Sequence, residues 1–347
     1  MSAKLRILVT GAAGFVGSHL CAHLLEETEH DVVAVDKLGR GSFGLRRLRA
    51  LGVLHSSRLS FWSHDLATVV PKGLQDEWGA VDVVFHLAAE SHVDQSILFP
   101  SFCVCNNVMS TVNILEAARC MAPRLRSFVY WGTDEVHGPA PEGVAYKEDH
   151  AHNPSSPYAA SKSASEQVAN AYRVTYGVPV VGVNCMNIVG ESQACEKALP
   201  RFVGQIMRNE ELGLHTYPGR DAYGTRGYIH VREVAKAALF VEANGLVGQS
   251  YNIGGQAELD NLQLAELCAD EIGVPFSYRR VDHDSNRPGH DLAYRLDPTK
   301  LKKLGWEPSP QLEEMIRETV RWYIANPEWL EEEDGFQDSS GSVAHLV

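Results

Sequence analysis

Several features are scarce or missing in this 347-residue sequence. No apolar run reaches the roughly 18 residues that a membrane span needs, and no charged start followed by a long apolar stretch marks a secretory signal. Lys and Arg number 31 against 44 Asp and Glu, a formal net charge of −13. Nucleic acid and anionic membranes select basic surfaces, so neither is expected as a partner. We expect a cytoplasmic protein.

Cysteine is present but shows no Cys-x-x-Cys pair and no disulfide-like spacing. A metal cluster or a disulfide framework is therefore not predicted. We expect small buried side chains in a reducing compartment. The seven positions are Cys21, Cys103, Cys105, Cys120, Cys185, Cys195 and Cys268.

Short apolar, β-branched runs alternate with helical patterns through the first half of the chain. This alternation is typical of an α/β protein with a parallel sheet covered on both faces, and right-handed crossovers make the sheet doubly wound, of the Rossmann type. The predicted strands are 6–10, 31–36, 59–66, 81–88, 126–132 and 178–185, and the predicted helices include 18–27, 110–120 and 161–176.

The regular alternation of strand and helix patterns ends at about residue 190, after which the loops are longer. We predict a Rossmann domain over 1–190, with 231–255 packing back on it. A smaller, mainly substrate-binding portion is expected over 191–330. The acidic segment 331–347 is expected to be a flexible tail.

The first predicted strand runs directly into "GAAGFVG", which contains Gly11, Gly14 and Gly17. Such glycines permit a tight turn, close approach of a pyrophosphate and close helix–strand packing, and the helix N-terminus favours phosphate. Asp36 ends the second strand, where a carboxylate accepts hydrogen bonds from the adenosine ribose and repels a 2′-phosphate. The pattern predicts NAD rather than NADP, although Asp36 as a simple turn residue is the alternative.

Tyr158 and Lys162 stand four residues apart at the start of a predicted helix and therefore share a face. A nearby ammonium group favours tyrosinate, which can take a proton from a substrate hydroxyl as hydride leaves for NAD⁺. Thr133 at a strand end is expected to bond the same hydroxyl. The adjacent Asp134 and Glu135 are compatible with capping a turn, binding a metal or moving protons.

Taken together, these motifs resemble those of the extended short-chain dehydrogenase/reductases. Within that superfamily, "HLAAESHVDQSI", "TDEV", "EKALP", "YNIGG", "NRPGHD" and "LGW" resemble the dTDP-glucose 4,6-dehydratase family. The resemblance implies oxidation of the hexose at C4 with Tyr158 as base. Glu135 would then remove the C5 hydrogen, a protonated Asp134 would donate to the departing C6 hydroxyl, and hydride would return to C6. It also implies a 4-keto-6-deoxy product, bound NAD, no metal and a homodimer.

The same resemblance gives two sets of binding residues. Ser91 and Thr133 are expected at the hexose and Asn187 near the sugar or phosphates, while Lys197, Arg226, Asn261, Arg287 and His290 are expected at the nucleotide. The predicted cofactor site consists of Gly11, Gly14, Phe15, Val16, Gly17, Asp36, Lys37, Asp65, Leu66, Leu87, Ala88, Ala89, Ser91, Cys105, Tyr158 and Lys162.

The sequence also departs from the family pattern beside the expected substrate. Gly132 and His137 stand where the family has serine and tyrosine, and "NCMNIVGES" stands where it tends to have "RCSNNYGP". We expect Gly132 to loosen the strand end and His137 to lie on the solvent side. The nucleotide is thus less certain than the reaction: dTDP-glucose is favoured, with a UDP-sugar as the alternative. A nucleotide-sugar 4-epimerase, a decarboxylase and a silent NAD-binding scaffold are the competing functions.

Overall fold

The computed structural model describes residues 4–39, 43–121, 123–141, 143–185, 187–216, 223–282 and 295–331. Two predicted nucleotide-binding residues, Arg287 and His290, lie outside these ranges. The predicted tail also lies outside them, apart from residue 331.

A parallel sheet of seven strands forms the centre of the molecule, with the strand order β10-β6-β5-β4-β1-β2-β3. Each neighbouring pair runs parallel. Fully buried parallel strands are near-continuous apolar runs, as the sequence predicted. The strands are β1 Arg6–Thr10, β2 Asp31–Asp36, β3 Leu59–Ser63, β4 Val83–His86, β5 Ser127–Trp131, β6 Val180–Cys185 and β10 Ser250–Ile253.

Helices cover both faces of this sheet, which confirms the doubly wound α/β class. On one face α1 packs beside α8, and on the other α5 packs beside α6. Each face has its own buried apolar cluster. The helices of this region are α1 Phe15–Glu27, α2 Arg46–Ala50, α3 Lys72–Trp78, α4 Val93–Leu98, α5 Pro100–Met121, α6 Pro157–Tyr176 and α8 Val231–Asn244.

A second body of structure follows β6 and has its own apolar core. Its strands form a three-stranded sheet, β11-β9-β7, and a two-stranded sheet, β12-β8. The elements are β7 Ile188–Val189, α7 Ala198–Met207, β8 Leu212–Thr216, β9 Thr225–His230, β11 Ala257–Asp260, α9 Asn261–Ile272, β12 Tyr278–Asp282 and α11 Leu312–Ala325. The chain crosses between the two bodies more than once, because α8, β10 and α10 Thr299–Leu304 belong to the first.

The strand order reverses between β1 and β4, which pair directly. Parallel sheets open a crevice at the carboxyl ends of their strands at such a switch point, and ligands bind there. Several predicted site residues, including Gly11, Ala88 and Thr133, follow the ends of β1, β4 and β5. The fold therefore gathers residues from distant parts of the chain along one edge.

Helix α11 supplies a stability test of the second core. Ile316 is fully buried in it, while Ile324 on the same helix is 40% exposed. We predict that Ile316→Ala lowers the free energy of unfolding by about 2–5 kcal/mol, because it leaves a cavity. Ile324→Ala should cost less than about 1 kcal/mol. Urea denaturation measures both, and equal effects would contradict this assignment of the core.

Candidate active site

The glycine loop after β1 is built on very close backbone contacts. Gly11 adopts φ +69°, and a Cβ there would lie 2.8 Å from the Ala88 nitrogen. A Cβ on Gly17 would lie 2.1 Å from the Gly11 carbonyl oxygen. Glycine is required at both positions, since any side chain would force the loop away from β4 or α1 away from the loop.

The N-terminus of α1 opens directly from this loop. Gly14 is its N-cap residue, with no side-chain cap and no acidic residue in the first turn. The N–H groups of Phe15, Val16 and Gly17 therefore begin a helix whose positive dipole end is not neutralised by the chain itself. This arrangement fits the pyrophosphate of a dinucleotide.

The Asp36 side chain is buried at the end of β2 and bonds to the chain itself. Its Oδ2 accepts from the Ala13 N–H at 3.0 Å and its Oδ1 from the Leu38 N–H at 2.7 Å. Burial raises the pKa of this carboxyl, opposed by those two bonds. Each oxygen keeps a second lone pair, so Asp36 both shapes the glycine loop and can still accept ribose hydroxyls.

The neighbouring predicted cofactor residues differ in exposure. Lys37 Nζ donates to Glu90 Oε1 at 2.5 Å and to Asn106 Oδ1 at 2.9 Å. Asp65 lies beyond the end of β3 and its Oδ1 accepts from the Ala67 N–H, as in a turn. Among the other predicted cofactor residues, Leu66 is buried, Leu87, Ala88 and Ala89 are half-buried, and Ser91 and Cys105 are exposed.

The acidic pair lies in a single 3-10 turn, Asp134–His137, directly after β5. Thr133 is its N-cap residue: its hydroxyl accepts from the Glu135 N–H at 3.4 Å and donates to Asp134 Oδ1 at 3.2 Å. Asp134 is buried, and its Oδ2 has no hydrogen-bond partner in the structure. Capping of the turn is thus done by Thr133 and does not require either carboxylate.

Tyr158 joins this turn from the first turn of α6. Burial raises the pKa of Tyr158 and the charge of Glu135 raises it further, while the Thr133 side chain opposes this rise. The structure therefore brings together Thr133, Asp134, Glu135 and Tyr158, and their roles in proton transfer stay predictions.

The Lys162 ammonium is buried on the other side of the β5 end. It donates to the Trp131 carbonyl oxygen and lies 4.7 Å from the centre of the Tyr130 ring. Burial lowers its pKa to about 8, opposed by the charge of Glu166. Lys162 thus fixes the end of β5, after which the turn with the acidic pair begins.

Burial also sets the protonation of Asp134. It raises the pKa of this carboxyl to about 6, opposed by the Thr133 hydrogen bond and by the charge of Arg226. Arg226 lies on β9, so a positive charge from the second body of structure acts on the acidic turn. A carboxyl with this pKa can be protonated in the pH range where Tyr158 chemistry operates.

Two expectations for the departures from the family pattern are wrong. Gly132 does not loosen the strand end: its N–H donates to the Val183 oxygen at 2.6 Å, and a Cβ would lie 2.0 Å from Asn184 Oδ1. The glycine instead lets the Asn184 amide pack against the strand.

His137 is not on the solvent side. It is 2% exposed and packs against the rings of Tyr146 and His152, with centroid distances of 5.1 and 5.3 Å. The 3-10 turn directs its last residue inward, and burial lowers the pKa of the imidazole to about 4.

The predicted substrate residues come from several elements of the second body. Asn187 precedes β7 and its carbonyl accepts from the Ile229 N–H. Lys197 is the N-cap residue of α7, Arg226 lies on β9, and Asn261 begins α9. The electrostatic effect on Asp134 connects Arg226 to the catalytic turn, while the roles of the other three stay predictions.

Sequence reasoning missed Asn107 on α5. Its Oδ1 accepts from the Glu90 N–H at 2.7 Å, and its Nδ2 donates to Ser161 Oγ at 2.8 Å. It thereby ties the loop after β4 to the helix that carries Tyr158. The sequence did contain a signal for Asn107: it is a polar residue on the face of α5 that packs against the apolar sheet.

Within the part of the chain that the structure describes, no group of three His, Cys, Asp or Glu side chains is placed to hold a metal ion. No helix of the described residues is long and apolar enough to cross a membrane.

Comparison with known proteins agrees with this geometry. The family model described as GDP-mannose 4,6 dehydratase matches residues 8–319. A dTDP-glucose 4,6-dehydratase of Escherichia coli is 35% identical, over 94% of this chain and 95% of its own. The crystal structure of DesIV, a dTDP-glucose 4,6-dehydratase from Streptomyces venezuelae with NAD bound, is 36% identical with a TM-score of 0.84, covering 94% of this chain and 99% of that one.

An epimerase is structurally similar but less close in sequence. The UDP-glucuronic acid 4-epimerase of Bacillus cereus, solved with NAD, has a TM-score of 0.82 at 26% identity, covering 92% of this chain and 99% of that one. Fold and site thus define a Rossmann-type enzyme class that includes dehydratases and epimerases. Within it, this chain belongs to the nucleotide-sugar 4,6-dehydratase family.

Asp134 gives a test of the electrostatics in the site. Its folded-state pKa of about 6 lies above the ordinary 3.8, so the folded chain resists losing this proton. The resulting stability penalty is absent below the ordinary pKa and complete above pH 6. We predict that Asp134→Asn raises the free energy of unfolding by about 1–3 kcal/mol above pH 7.

That gain should shrink as the pH falls from about 6 towards 4, which thermal unfolding at a series of pH values measures. Asp149→Asn is the matched control, because the Asp149 side chain is 89% exposed. A gain at Asp134 that does not change with pH would contradict the assigned burial effect.

Proposed function

We propose that the chain is an NAD-dependent nucleotide-sugar 4,6-dehydratase, a lyase that converts dTDP-glucose into dTDP-4-keto-6-deoxyglucose. The observation that carries this proposal is the placement of Asp134 and Glu135 in one turn beside Tyr158. A hydroxyl-bonded tyrosine suffices for hydride chemistry, whereas elimination of water also needs a base and an acid. The names of the relatives support the same reaction.

The glycine loop, the uncapped start of α1 and Asp36 would hold the cofactor. When bound there, NAD would supply a hydride acceptor for C4 and a hydride donor for C6, so the overall reaction would need no external oxidant. NAD is proposed to stay tightly bound, since its loss as the reduced form would stop the cycle. The chain's residues must therefore exclude water and direct the proton transfers.

Three side chains are assigned to those proton transfers. Tyr158 takes the proton of the C4 hydroxyl, which Thr133 orients by hydrogen bonding. The resulting C4 ketone acidifies the C5 hydrogen; Glu135 removes it as a proton, and a proton returns to C5 when hydride is delivered to C6. Asp134, whose pKa burial raises to about 6, donates in its protonated form to the C6 hydroxyl, which leaves as water. These assignments follow from the shared turn and from the raised pKa of Asp134.

The substrate's nucleotide is proposed to lie against the second body of structure. Arg226 suits a diphosphate, since guanidinium groups bind phosphate oxygens bidentately. Asn187, Lys197 and Asn261 are proposed to complete that side, with Ser91 near the hexose. This assignment divides the chain into an NAD-binding part, 1–190 with 231–255, and a mainly substrate-binding part within 191–330.

Turnover of two substrates tests the proposal directly. The protein is incubated separately with dTDP-glucose and UDP-glucose, and the alkali-induced absorbance of a 4-keto sugar is followed. We expect this absorbance with dTDP-glucose. A larger absorbance with UDP-glucose would mean that the substrate is a UDP-sugar, with the same reaction. Formation of only the C4 epimer would exclude a dehydratase.

Glu135→Gln separates oxidation from elimination. The variant keeps Tyr158 and Thr133 but lacks the base for C5, so C4 oxidation proceeds and elimination stops. We predict that product formation falls by about 100-fold or more while reduced nicotinamide absorbance builds up on the enzyme. Glu242→Gln on α8 is the control for replacing a half-buried carboxylate elsewhere. If the Glu135 variant turns over like the parent, its assigned role is wrong.

We also propose a homodimer formed through α5 and α6. Exposed residues of α5 recur at helical spacing and are largely apolar, and those of α6 are mostly small, so two helix pairs can approach closely. On α5 the surface includes Phe102, Cys105 and Met109, and on α6 it includes Ala160, Ala164, Ala171 and Val174. The seven free cysteines support a cytoplasmic location.

Met109→Glu tests the dimer. Met109 is 42% exposed on α5, and a charge there would be desolvated in a helix-to-helix interface. We predict that the variant elutes as a monomer in size-exclusion chromatography with light scattering at concentrations where the parent is a dimer. Val69→Glu, at a 76% exposed position before α3, should stay dimeric. Dimers in both variants would rule out this surface.

A further inference from the structure

Glu166 is a half-buried carboxylate with no role in the steps above. It lies four residues after Lys162 on α6, so the two side chains share a helix face. Its side chain is 19% exposed, and its Oε2 has no hydrogen-bond partner in the structure. A carboxylate in such a place needs a compensating charge nearby.

His152 lies on one side of this carboxylate. Its Nδ1 is 2.8 Å from Ser163 Oγ, which fixes the ring, and its Nε2 is 3.8 Å from Glu166 Oε2. His137 packs edge-on against the His152 ring. His152 therefore lies beside Glu166 but is too far from Oε2 for a hydrogen bond.

Lys162 lies on the other side, within the field of Glu166. The Lys162 ammonium donates to the Trp131 carbonyl, so its hydrogen-bond partner there is neutral. Burial lowers its pKa to about 8, and the Glu166 charge is the influence that opposes burial. Two other titratable groups are affected by these charges: the Lys162 charge lowers the pKa of His86, and the Glu166 charge raises the pKa of Tyr130.

We propose that Glu166 is a positioning residue for the reaction: its half-buried carboxylate, one helical turn from Lys162 on the same face of α6, keeps Lys162 in the ammonium form. The inference rests on the proposed function, in which a charged Lys162 favours the tyrosinate form of Tyr158. A neutral lysine would still fit the space but would withdraw that support and weaken its bond to the end of β5.

The direction of the effect follows from the charges. Removing the Glu166 charge lowers the pKa of Lys162, because only the burial effect then remains. The charges that raise the pKa of Tyr158 are led by Glu135 and include Asp134. Loss of Glu166 therefore acts on catalysis through Lys162, and activity is lost at lower pH as the ammonium loses its proton.

The test compares kcat for dTDP-glucose as a function of pH in four proteins: the parent, Glu166→Gln, Glu166→Asp and Glu242→Gln. We expect Glu166→Gln to match the parent within about twofold near pH 6.5 and to be about threefold to tenfold slower near pH 8.5, where the parent still holds part of its Lys162 charge. Glu166→Asp should restore most of the alkaline activity. The Glu242→Gln control should follow the parent throughout.

A direct readout keeps the proposal testable if the substrate is not turned over. Carbon-13 NMR of lysine-labelled protein follows the Lys162 titration, with the signal assigned by its loss in Lys162→Arg. A lower Lys162 titration midpoint in Glu166→Gln supports the inference even for an inactive parent, which would refute only the proposed function. An unchanged midpoint overturns the inference, whatever the activity.

His152→Asn distinguishes this role from simple anchoring. If Glu166 served only to anchor the segment that carries His152, Glu166→Gln and His152→Asn would lose thermal stability alike. In that case neither variant would move the alkaline limb of the pH profile, and the proposal would be overturned. A shift in the Glu166 variant, larger than any in the His152 variant, is the expected result.

Discussion

The hydrogen bond from a buried ammonium group to the last residue of β5 is the interaction on which the rest of the site depends. Lys162 donates to the carbonyl of Trp131, the residue at which β5 ends before the chain continues into Thr133 and the acidic pair. The helix that carries Lys162 is itself fixed to the strand, since the Tyr130 hydroxyl donates to the Lys162 carbonyl. The bond therefore joins the two elements that supply Tyr158 and Glu135, so their separation is set by packed structure rather than by a loop.

The same region contains polar atoms that the folded chain leaves without hydrogen-bond partners. Asp134 Oδ2, His137 Nε2 and Glu166 Oε2 are all buried in this condition. Each such atom costs stability, and structures retain them where chemistry requires a shifted proton affinity. The carboxyl group of Asp134 shows the benefit, because the burial that destabilises its charged form also keeps a proton available for a leaving group. Stability and catalysis thus oppose each other at one turn.

Sequence periodicity predicted the fold well because its signals are local. Strands β1 and β2 begin and end at the predicted residues, and the glycine loop lies where its spacing indicated. The grouping of the proposed acid–base residues was also predictable, since Thr133, Asp134 and Glu135 are consecutive and Tyr158 and Lys162 are one helical turn apart. The burial of His137 and the packing of Asn184 against Gly132 were not, because both depend on residues that are distant in sequence.

This difference explains why the reaction is better determined than the nucleotide. The proposed proton-transfer residues belong to the turn after β5 and to α6, which pack together, whereas the proposed nucleotide contacts come from α7, α9 and β9, which long connections separate. Asn184 on β6 packs on Gly132 next to the acidic turn, and its Nδ2 donates to Asn252 Oδ1 on β10 at 3.3 Å. Asn252 in turn donates to the carbonyls of Tyr146 and Asp297. Buried amides therefore connect the residue before the acidic turn to the loop around Tyr146 and to the segment before α10, so the position of that turn depends on contacts that are distant in sequence.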